Sequence, residues 1–373
     1  MISPERFYRH LSGCGIDFFT GVPDSLLRNL LYYFINHANQ SNHCITGNEA
    51  HAIALATGYH LKTGKLPLVY MQNSGLGNAI NPLTSLTDPQ MFSIPMILMI
   101  GWRGAAGRQD EPQHKKMGSV TEGILQVLQI PVFTLSPDEQ PAMEIITRAV
   151  ADAKTKQQPV AVLVAGDIFE EVSQPKIADS YMLSRERVLQ QLLTQLTGDE
   201  VVVCTTGKTG REFDMLNRKS GNRHIKQFLS TGSMGLANHV ALGISLNHSG
   251  RVIMLDGDGA LLMHLGTLAL TGNRAPSSFI HILFNNGCHE SVGGHPTLGF
   301  SINFGDIARA CGYKSVFCIT NDEMLNEWLT HGLPIQEKQF VEIRIRPGSR
   351  ADLSRPSGLP RDWKSELMKQ LNE

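Results

Sequence analysis

Residues 252–259 read Val-Ile-Met-Leu-Asp-Gly-Asp-Gly, and no other stretch restricts the fold of this chain as much. An apolar run of strand length passes straight into two Asp-Gly pairs, so the extended backbone must turn sharply there. A helix-length segment and a second apolar run, Phe279 to Phe284, come next, and that run ends on Asn285-Asn286, with 25 residues between Gly259 and Asn285. Strand, helix and strand in this order form a βαβ unit with parallel strands. Glycines on both sides of Asp258 let backbone N–H groups and a helix N-terminus meet an anion at the strand end. Asp258 and the asparagine pair then lie at the carboxyl ends of neighbouring strands, where open α/β sheets bind ligands.

The rest of the chain repeats the alternation of short apolar runs and amphipathic segments. In the first half the pattern predicts strands at Asp17–Thr20, Cys44–Thr46, Pro67–Gln72, Pro95–Ile100, Val132–Thr134 and Val160–Val164. In the second it predicts Glu200–Thr205, Ile225–Phe228, Val252–Leu255, Phe279–Phe284, Ser315–Phe317 and Gln339–Ile345. At 373 residues the chain exceeds one ordinary core. The expected fold class is therefore α/β, with two domains that are each a parallel sheet flanked by helices. Domains over 1–170 and 184–373 are expected, joined by a linker over 171–183; the aperiodic stretch from Asp167 to Leu183 carries Val-Ser-Gln-Pro-Lys. No tandem repeat is visible, and a last helix is expected at Trp363–Leu371 after a Pro/Gly/Ser/Arg-rich excursion from Arg346 to Pro360.

Charge and composition narrow the partners. A net charge of −1 gives no field to draw nucleic acid or an anionic membrane, so small molecules and other copies of the chain are expected instead. The most apolar stretch, Phe92 to Ile100, is far too short to span a bilayer and reads as a buried strand. Six cysteines without a CxxC pair or zinc spacing read as reduced thiols, and the N-terminus has no secretory pattern. A cytoplasmic protein is expected.

Carboxylate, amide and carbonyl oxygens at the Asp258 turn suit octahedral Mg²⁺. A calcium EF-loop fails because Ala260 and Leu261 occupy its third-ligand and glycine positions, and a Walker A reading of Gly207-Lys208-Thr209 fails because Val202 stands where glycine is required. Two unrelated turns remain the bland alternative. Taken together, Gly257-Asp258-Gly259 and Asn285-Asn286 resemble the signature of thiamine diphosphate-dependent enzymes. The resemblance implies that Asp258 and Asn286 are side-chain metal ligands, that Cys288 offers its carbonyl, and that Gly259 and Ala260 belong to the cofactor site.

Further segments extend this resemblance. Ile45-Thr46-Gly47-Asn48-Glu49-Ala50-His51 follows a short strand and opens a helix expected over Ala52–His60; it is similar to the family segment whose glutamate meets the aminopyrimidine ring. Glu49 is then the catalytic carboxyl, the alternative being a helix-start carboxylate that serves the macrodipole. Ser230-Thr231-Gly232-Ser233-Met234-Gly235 is similar to the segment supporting the bent cofactor, which implies that the Gly232 carbonyl accepts its amino group and that Met234 wedges between its rings, with Ser233 beside them. A helix cap with a core methionine is the alternative. Thr206, in Thr205-Thr206-Gly207-Lys208, is a further candidate for the diphosphate.

The substrate end is carried by Thr20–Leu27, Met71–Asn78, Gly101–Gly104 running to Asp110–His114, and His289–Gly294. These look like the phosphonopyruvate decarboxylase branch of the family, related to the sulfopyruvate decarboxylases, and the likeness covers nearly the whole chain. There is no room for the middle domain of larger relatives. The branch implies a 2-keto acid substrate, decarboxylation of 3-phosphonopyruvate, and an assembly of at least two copies. Arg103 is the candidate for the phosphonate, since a guanidinium can bind two oxygens at once; an ordinary ion pair is its alternative. Asp24 and His114 are candidates for proton relay, with a turn cap or a packed histidine as alternatives. Asn73 and Ser74 complete the candidate substrate contacts. Sulfopyruvate decarboxylase, a carboligase with the same cofactor, and a noncatalytic cofactor-binding subunit are the rival functions; fusion of the two domains in one chain leans towards the phosphonate.

Overall fold

The structure, a computed structural model, describes residues 1–175, 181–220 and 225–372. The chain divides into two compact units, Met1–Lys176 and Ile177–Glu373. The first holds strands β1 (Phe19–Gly21), β2 (His43–Ile45), β3 (Leu68–Gln72), β4 (Met96–Gly101), β5 (Val132–Thr134) and β6 (Pro159–Val164). Its helices are α1 (Pro4–Gly13), ahead of the first strand, and then α2 (Arg28–His37), α3 (Glu49–Thr63), α4 (Leu76–Ser85), α5 (Pro112–Val127) and α6 (Glu139–Lys156). The strands are all parallel, in the order β2-β1-β3-β4-β6-β5. Alternate residues of each strand feed opposite faces, as the period of two requires. Leu68, Tyr70, Ile97 and Met99 pack with α1, α2 and α6. Val69, Met71, Leu98 and Ile100 pack with α3, α4 and α5.

The second unit holds β7 (Val201–Cys204), β8 (Lys226–Leu229), β9 (Val252–Gly257), β10 (Phe279–Asn285), a short ribbon β11 (Cys288–His289) and β12 (His295–Pro296), then β13 (Ser315–Ile319) and β14 (Gln339–Arg344). Its helices are α7 (Arg185–Gln195), α8 (Lys208–Lys219), α9 (Ala237–Ser245), α10 (Asp258–Met263), α11 (Thr267–Arg274), α12 (Phe304–Ala310), α13 (Asp322–Glu327) and α14 (Pro360–Asn372). The main sheet is again parallel, ordered β13-β14-β10-β9-β7-β8. Read from its other edge and counted from its own first strand, this is the order of the first sheet. Two units of one topology thus stand in a chain whose sequence shows no repeat.

All twelve expected strands are present, each within a few residues of its expected bounds. Several expectations are corrected. The apolar stretch from Phe92 is buried only from Ile94 onward: Ser93 takes a left-handed φ of 53°, Phe92 is 63% exposed, and the strand begins at Met96. The helix expected at Ala52 starts a turn earlier, because the Asn48 side chain accepts the Ala50 N–H at 2.8 Å and caps it. The first residues of the aperiodic stretch belong to the first unit, as the expected domain end at 170 implies: Ile168 and Phe169 are buried and the backbone of Ile2 bonds to Ile168 and Glu170. Leu183, at its other end, is buried in the second unit and accepts the Arg346 N–H. Residues 176–180 of the expected linker lie outside the described residues. The ribbon of β11 and β12 was not foreseen from sequence. Two-residue strands leave no periodicity to read.

Candidate active site

Every strand of each main sheet is parallel to its neighbours, so every strand in a unit delivers its following loop to one edge. In the second unit that edge collects Thr206 after β7, Gly232, Ser233 and Met234 after β8, Asp258 after β9, and Asn286 and Cys288 after β10. Asp258 opens α10 and is buried. Its carboxyl accepts the Thr297 hydroxyl and backbone N–H groups of Asn286 and Gly259. Burial nonetheless pushes it up to about 7, because among the described residues no lysine or arginine pairs with it. Such a carboxyl is ready for a cation. The other aspartate of the motif, Asp256, points away: on β9 it faces the core and meets His281 at 3.2 Å, which in turn meets the Tyr313 hydroxyl.

Asn286 accepts the Cys288 N–H on Oδ1 at 3.1 Å and donates from Nδ2 to Glu290 at 2.9 Å. Glu290 is also held by Arg185 at 3.1 Å and Lys208 at 3.0 Å, and Arg185 forms a two-pronged pair with buried Glu212. Burial opposes ionisation of Glu290, yet Arg185 and Lys208 hold it below the usual glutamate range. The Cys288 thiol is buried and pushed up to about 12, so it stays protonated. Gly259 lies between His289 and Met234: a methyl group added there would fall 2.6 Å from His289 Nδ1 and 3.5 Å from the Met234 methyl. Ala260 is buried on α10, Ser233 has a left-handed φ of 52° at the surface, and the Gly232 carbonyl accepts the Ser230 hydroxyl at 2.6 Å. No group of three His, Cys, Asp or Glu side chains able to hold a metal occurs among the described residues, so a cation at Asp258 must draw on amide, carbonyl and ligand oxygens.

In the first unit Glu49 opens α3 with its carboxyl buried, accepting the Asn78 amide at 2.8 Å. Burial raises its pKa, against the Asn78 hydrogen bond. Capping of α3 falls to Asn48, which leaves the Glu49 side chain free of that duty. The carboxyl lies against the backbone of Gly75, where a methyl group would sit 2.2 Å from Oε1. The same turn, Asn73–Gly75, reaches the loop after β4: buried Asn73 donates to the Arg103 carbonyl at 2.8 Å and to Thr121, and accepts the Arg103 N–H. Its amide is thus spent on positioning that loop. Ser74 is exposed beside it.

Arg103 is not the open fork that its sequence position suggested. Nε and Nη2 grip Asp110 at 2.8 and 2.5 Å, and Nη1 donates to Ser25 at 2.8 Å. His114 lies half-buried on α5, its pKa lowered by burial and by Arg103. Asp24 is fully buried, with Oδ2 accepting the Leu26 N–H at 2.7 Å and Oδ1 without a hydrogen-bond partner among the described residues. It packs against Gly101, and burial pushes it up to about 6. Asn78, Thr297, Glu290, Arg185 and Asp110 support the site and were not singled out from sequence. Only Asn78, Glu290 and Asp110 fell inside segments the sequence marked, and nothing local to Thr297 or Arg185 announces a partner tens of residues away.

Residues 4–122 match the family model described as thiamine pyrophosphate enzyme, N-terminal TPP binding domain, and residues 205–345 match the C-terminal TPP binding domain of the same enzymes. The two halves of the chain therefore carry the two cofactor-binding domains of that class. Phosphonopyruvate decarboxylase of Streptomyces viridochromogenes is 34% identical over 378 residues, spanning 96% of this chain and 92% of that one. That of Streptomyces hygroscopicus is 33% identical, spanning 97% and 92%. Sulfopyruvate decarboxylase of Methanosarcina acetivorans is 24% identical, spanning 94% and 93%. The chain belongs to the phosphonopyruvate decarboxylase family of thiamine pyrophosphate enzymes. Fusion of the domains does not separate the two substrates, since the Methanosarcina protein matches both halves in one chain.

Asp24 gives a test of the site's electrostatics. Its carboxyl titrates at about 6 in the fold and near the ordinary aspartate value of about 3.9 in the unfolded chain. The folded state therefore keeps the proton longer, a stabilisation fully present below the unfolded value and lost as pH rises through 6. The loss amounts to about 3 kcal/mol. In urea unfolding at several pH values from about 4 to 7.5, Asp24→Asn is expected to lack that part of the decline. Parallel profiles for the two proteins would refute it.

Proposed function

We propose that this chain is a carboxy-lyase of phosphonate biosynthesis that converts 3-phosphonopyruvate to phosphonoacetaldehyde and CO₂, using thiamine diphosphate held through Mg²⁺. The observation that carries the reading is a pair of buried carboxyls, Glu49 and Asp258, in a chain like the phosphonopyruvate decarboxylases over nearly its whole length. Residues 1–170 are the pyrimidine-binding domain and 184–373 the diphosphate-binding domain. In the second, Asp258, the Asn286 amide oxygen and the Cys288 carbonyl hold the cation, with Gly259, Ala260 and Thr206 around the diphosphate. Gly232, Ser233 and Met234 support the ring system. When bound, thiamine diphosphate supplies the sink for the electrons that decarboxylation releases.

Glu49 holds and exchanges the proton at the pyrimidine ring; its raised pKa and its release from capping suit that work. Asp24 and His114 move protons at the substrate: burial brings the Asp24 carboxyl up to about 6, close to neutral pH, and lowers His114 so that its ring is neutral there. Asn73 and Arg103 shape the substrate loop, with Ser74 at its rim. A binding-only subunit would need no buried carboxyl at Glu49. No helix of the described residues is long and apolar enough to cross a membrane. Six free cysteines favour a reducing, cytoplasmic setting.

Sulfopyruvate remains the rival substrate, and the identity of 34% against 24% favours the phosphonate. Side-by-side assays with phosphonopyruvate, sulfopyruvate and pyruvate should give the highest kcat/KM for the first; a preference for sulfopyruvate would reassign the chain. Chelation is expected to abolish turnover, with recovery only on adding Mg²⁺ and thiamine diphosphate. Asp258→Ala should lose the cofactor while Cys288→Ala, which keeps the carbonyl, retains it, both read by equilibrium dialysis. Glu49→Gln should fold and bind cofactor yet lose at least about a hundredfold in rate, with slowed exchange of the cofactor's C2 proton by NMR. Near-wild-type exchange would sink the role. We also propose at least a homodimer whose copies share each cofactor, so that inactive Glu49→Ala and Asp258→Ala chains regain activity when assembled together.

A further inference from the structure

The loops after β1, β4 and β6 of the first unit line a cleft of 440 Å³ at the carboxyl edge of the sheet. Three guanidinium groups border it, Arg28, Arg103 and Arg108, against two carboxylates, Asp110 and Asp167. Arg103 is already neutralised by its two-pronged pair with Asp110. The guanidinium groups of Arg28, at the start of α2, and Arg108, in the loop after β4, have no ion-pair or hydrogen-bond partner among the described residues, and both residues are exposed. Gly166, with a φ of 113°, keeps the Arg108 guanidinium against bare backbone: a methyl group there would fall 2.1 Å from Nη1. The cleft also connects to Glu49, because the Asn73–Gly75 turn bonds the Arg103 backbone at one end and lies against the Glu49 carboxyl at the other.

We infer that this cleft seats the phosphonate head group of the substrate, with Arg28 and Arg108 as the groups that bind it and Arg103 as the fixed wall between them. The inference rests on the function proposed above and supplies its specificity element. A phosphonate is a tetrahedral dianion whose three oxygens accept several charge-assisted hydrogen bonds at once, which suits two unpaired guanidinium groups. A single Arg103 fork cannot serve, since Asp110 occupies its bidentate edge. The same chemistry would also hold free phosphate, so the test must separate a substrate subsite from a detached anion site.

Kinetics with phosphonopyruvate on the Mg²⁺ and thiamine diphosphate loaded enzyme make the test. Arg28→Ala and Arg108→Ala should each raise KM about tenfold or more while kcat stays within about twofold, the signature of binding that is equal in ground and transition states. Arg108→Lys should fall between, keeping charge without the fork. Methylphosphonate should inhibit competitively, with its inhibition constant raised in the two alanine variants by the same factor as KM. Wild-type KM in both folded alanine variants, or inhibition by methylphosphonate that is not competitive, overturns the subsite. If the wild-type protein leaves phosphonopyruvate untouched, the functional reading fails by itself. A ³¹P NMR titration of methylphosphonate then still decides the cleft: weaker binding to Arg108→Ala supports it, and equal binding overturns it.

Discussion

Taking a carboxyl group out of water is unfavourable by several kcal/mol unless something nearby compensates, and each half of this protein is arranged around such a group. Glu49 and Asp258 both open a helix at the carboxyl edge of a parallel sheet, and both are buried. The helix N-terminus supplies partial positive charge, and a few hydrogen bonds complete the shell, but among the described residues neither carboxyl has an ion pair. Both pKa values rise as a result. Glycines then close around them: Gly75 against Glu49, and Gly299 against Asp258, where an added methyl group would lie 2.6 Å from Oδ2. The unfavourable burial is thus maintained by backbone that cannot carry a side chain.

The shared topology gives this arrangement a further sense. Counted from its own first strand, each unit puts Glu49 and the Ser230–Gly235 segment after its second strand, and Arg103 and Asn286 after its fourth. Corresponding loops of one fold have taken up different chemistry. The first unit offers a carboxyl and cations, and the second offers backbone turns and oxygen ligands. Parallel strands make such divergence easy, because the sheet is covered on both faces while its carboxyl edge is left to the loops.

Much of this was legible in the sequence because period-two burial and turn residues are local signals. The strands were readable from apolar runs as short as Val132–Thr134, and the Asp258 turn from its flanking glycines. What was not legible depends on partners distant in the chain. Arg103 was read as a phosphonate fork with an ion pair as the alternative, and the ion pair is what the fold makes, because Asp110 closes back onto it. Asn73 was named a substrate contact through the likeness of the Met71–Asn78 segment, and three hydrogen bonds tie it to Arg103 and Thr121. Phe92 was assigned to a buried strand on hydrophobicity alone, and the left-handed Ser93 turns it outward. The same blindness hid Arg28 and Arg108, which are ordinary surface residues until the fold brings their loops to one cleft.

The Glu290 network has a consequence for how a ligand is received. The Asn286 NH₂ donates to Glu290, which Arg185 and Lys208 hold ionised, and Arg185 is itself anchored by Glu212. Turning the amide over would set its oxygen against the carboxylate and strand a buried charge-assisted hydrogen bond. The amide oxygen is therefore aimed before anything arrives. Little reorganisation energy would be left for a binding step, and affinity at this edge would depend on an arginine, a lysine and two glutamates that need not touch the ligand.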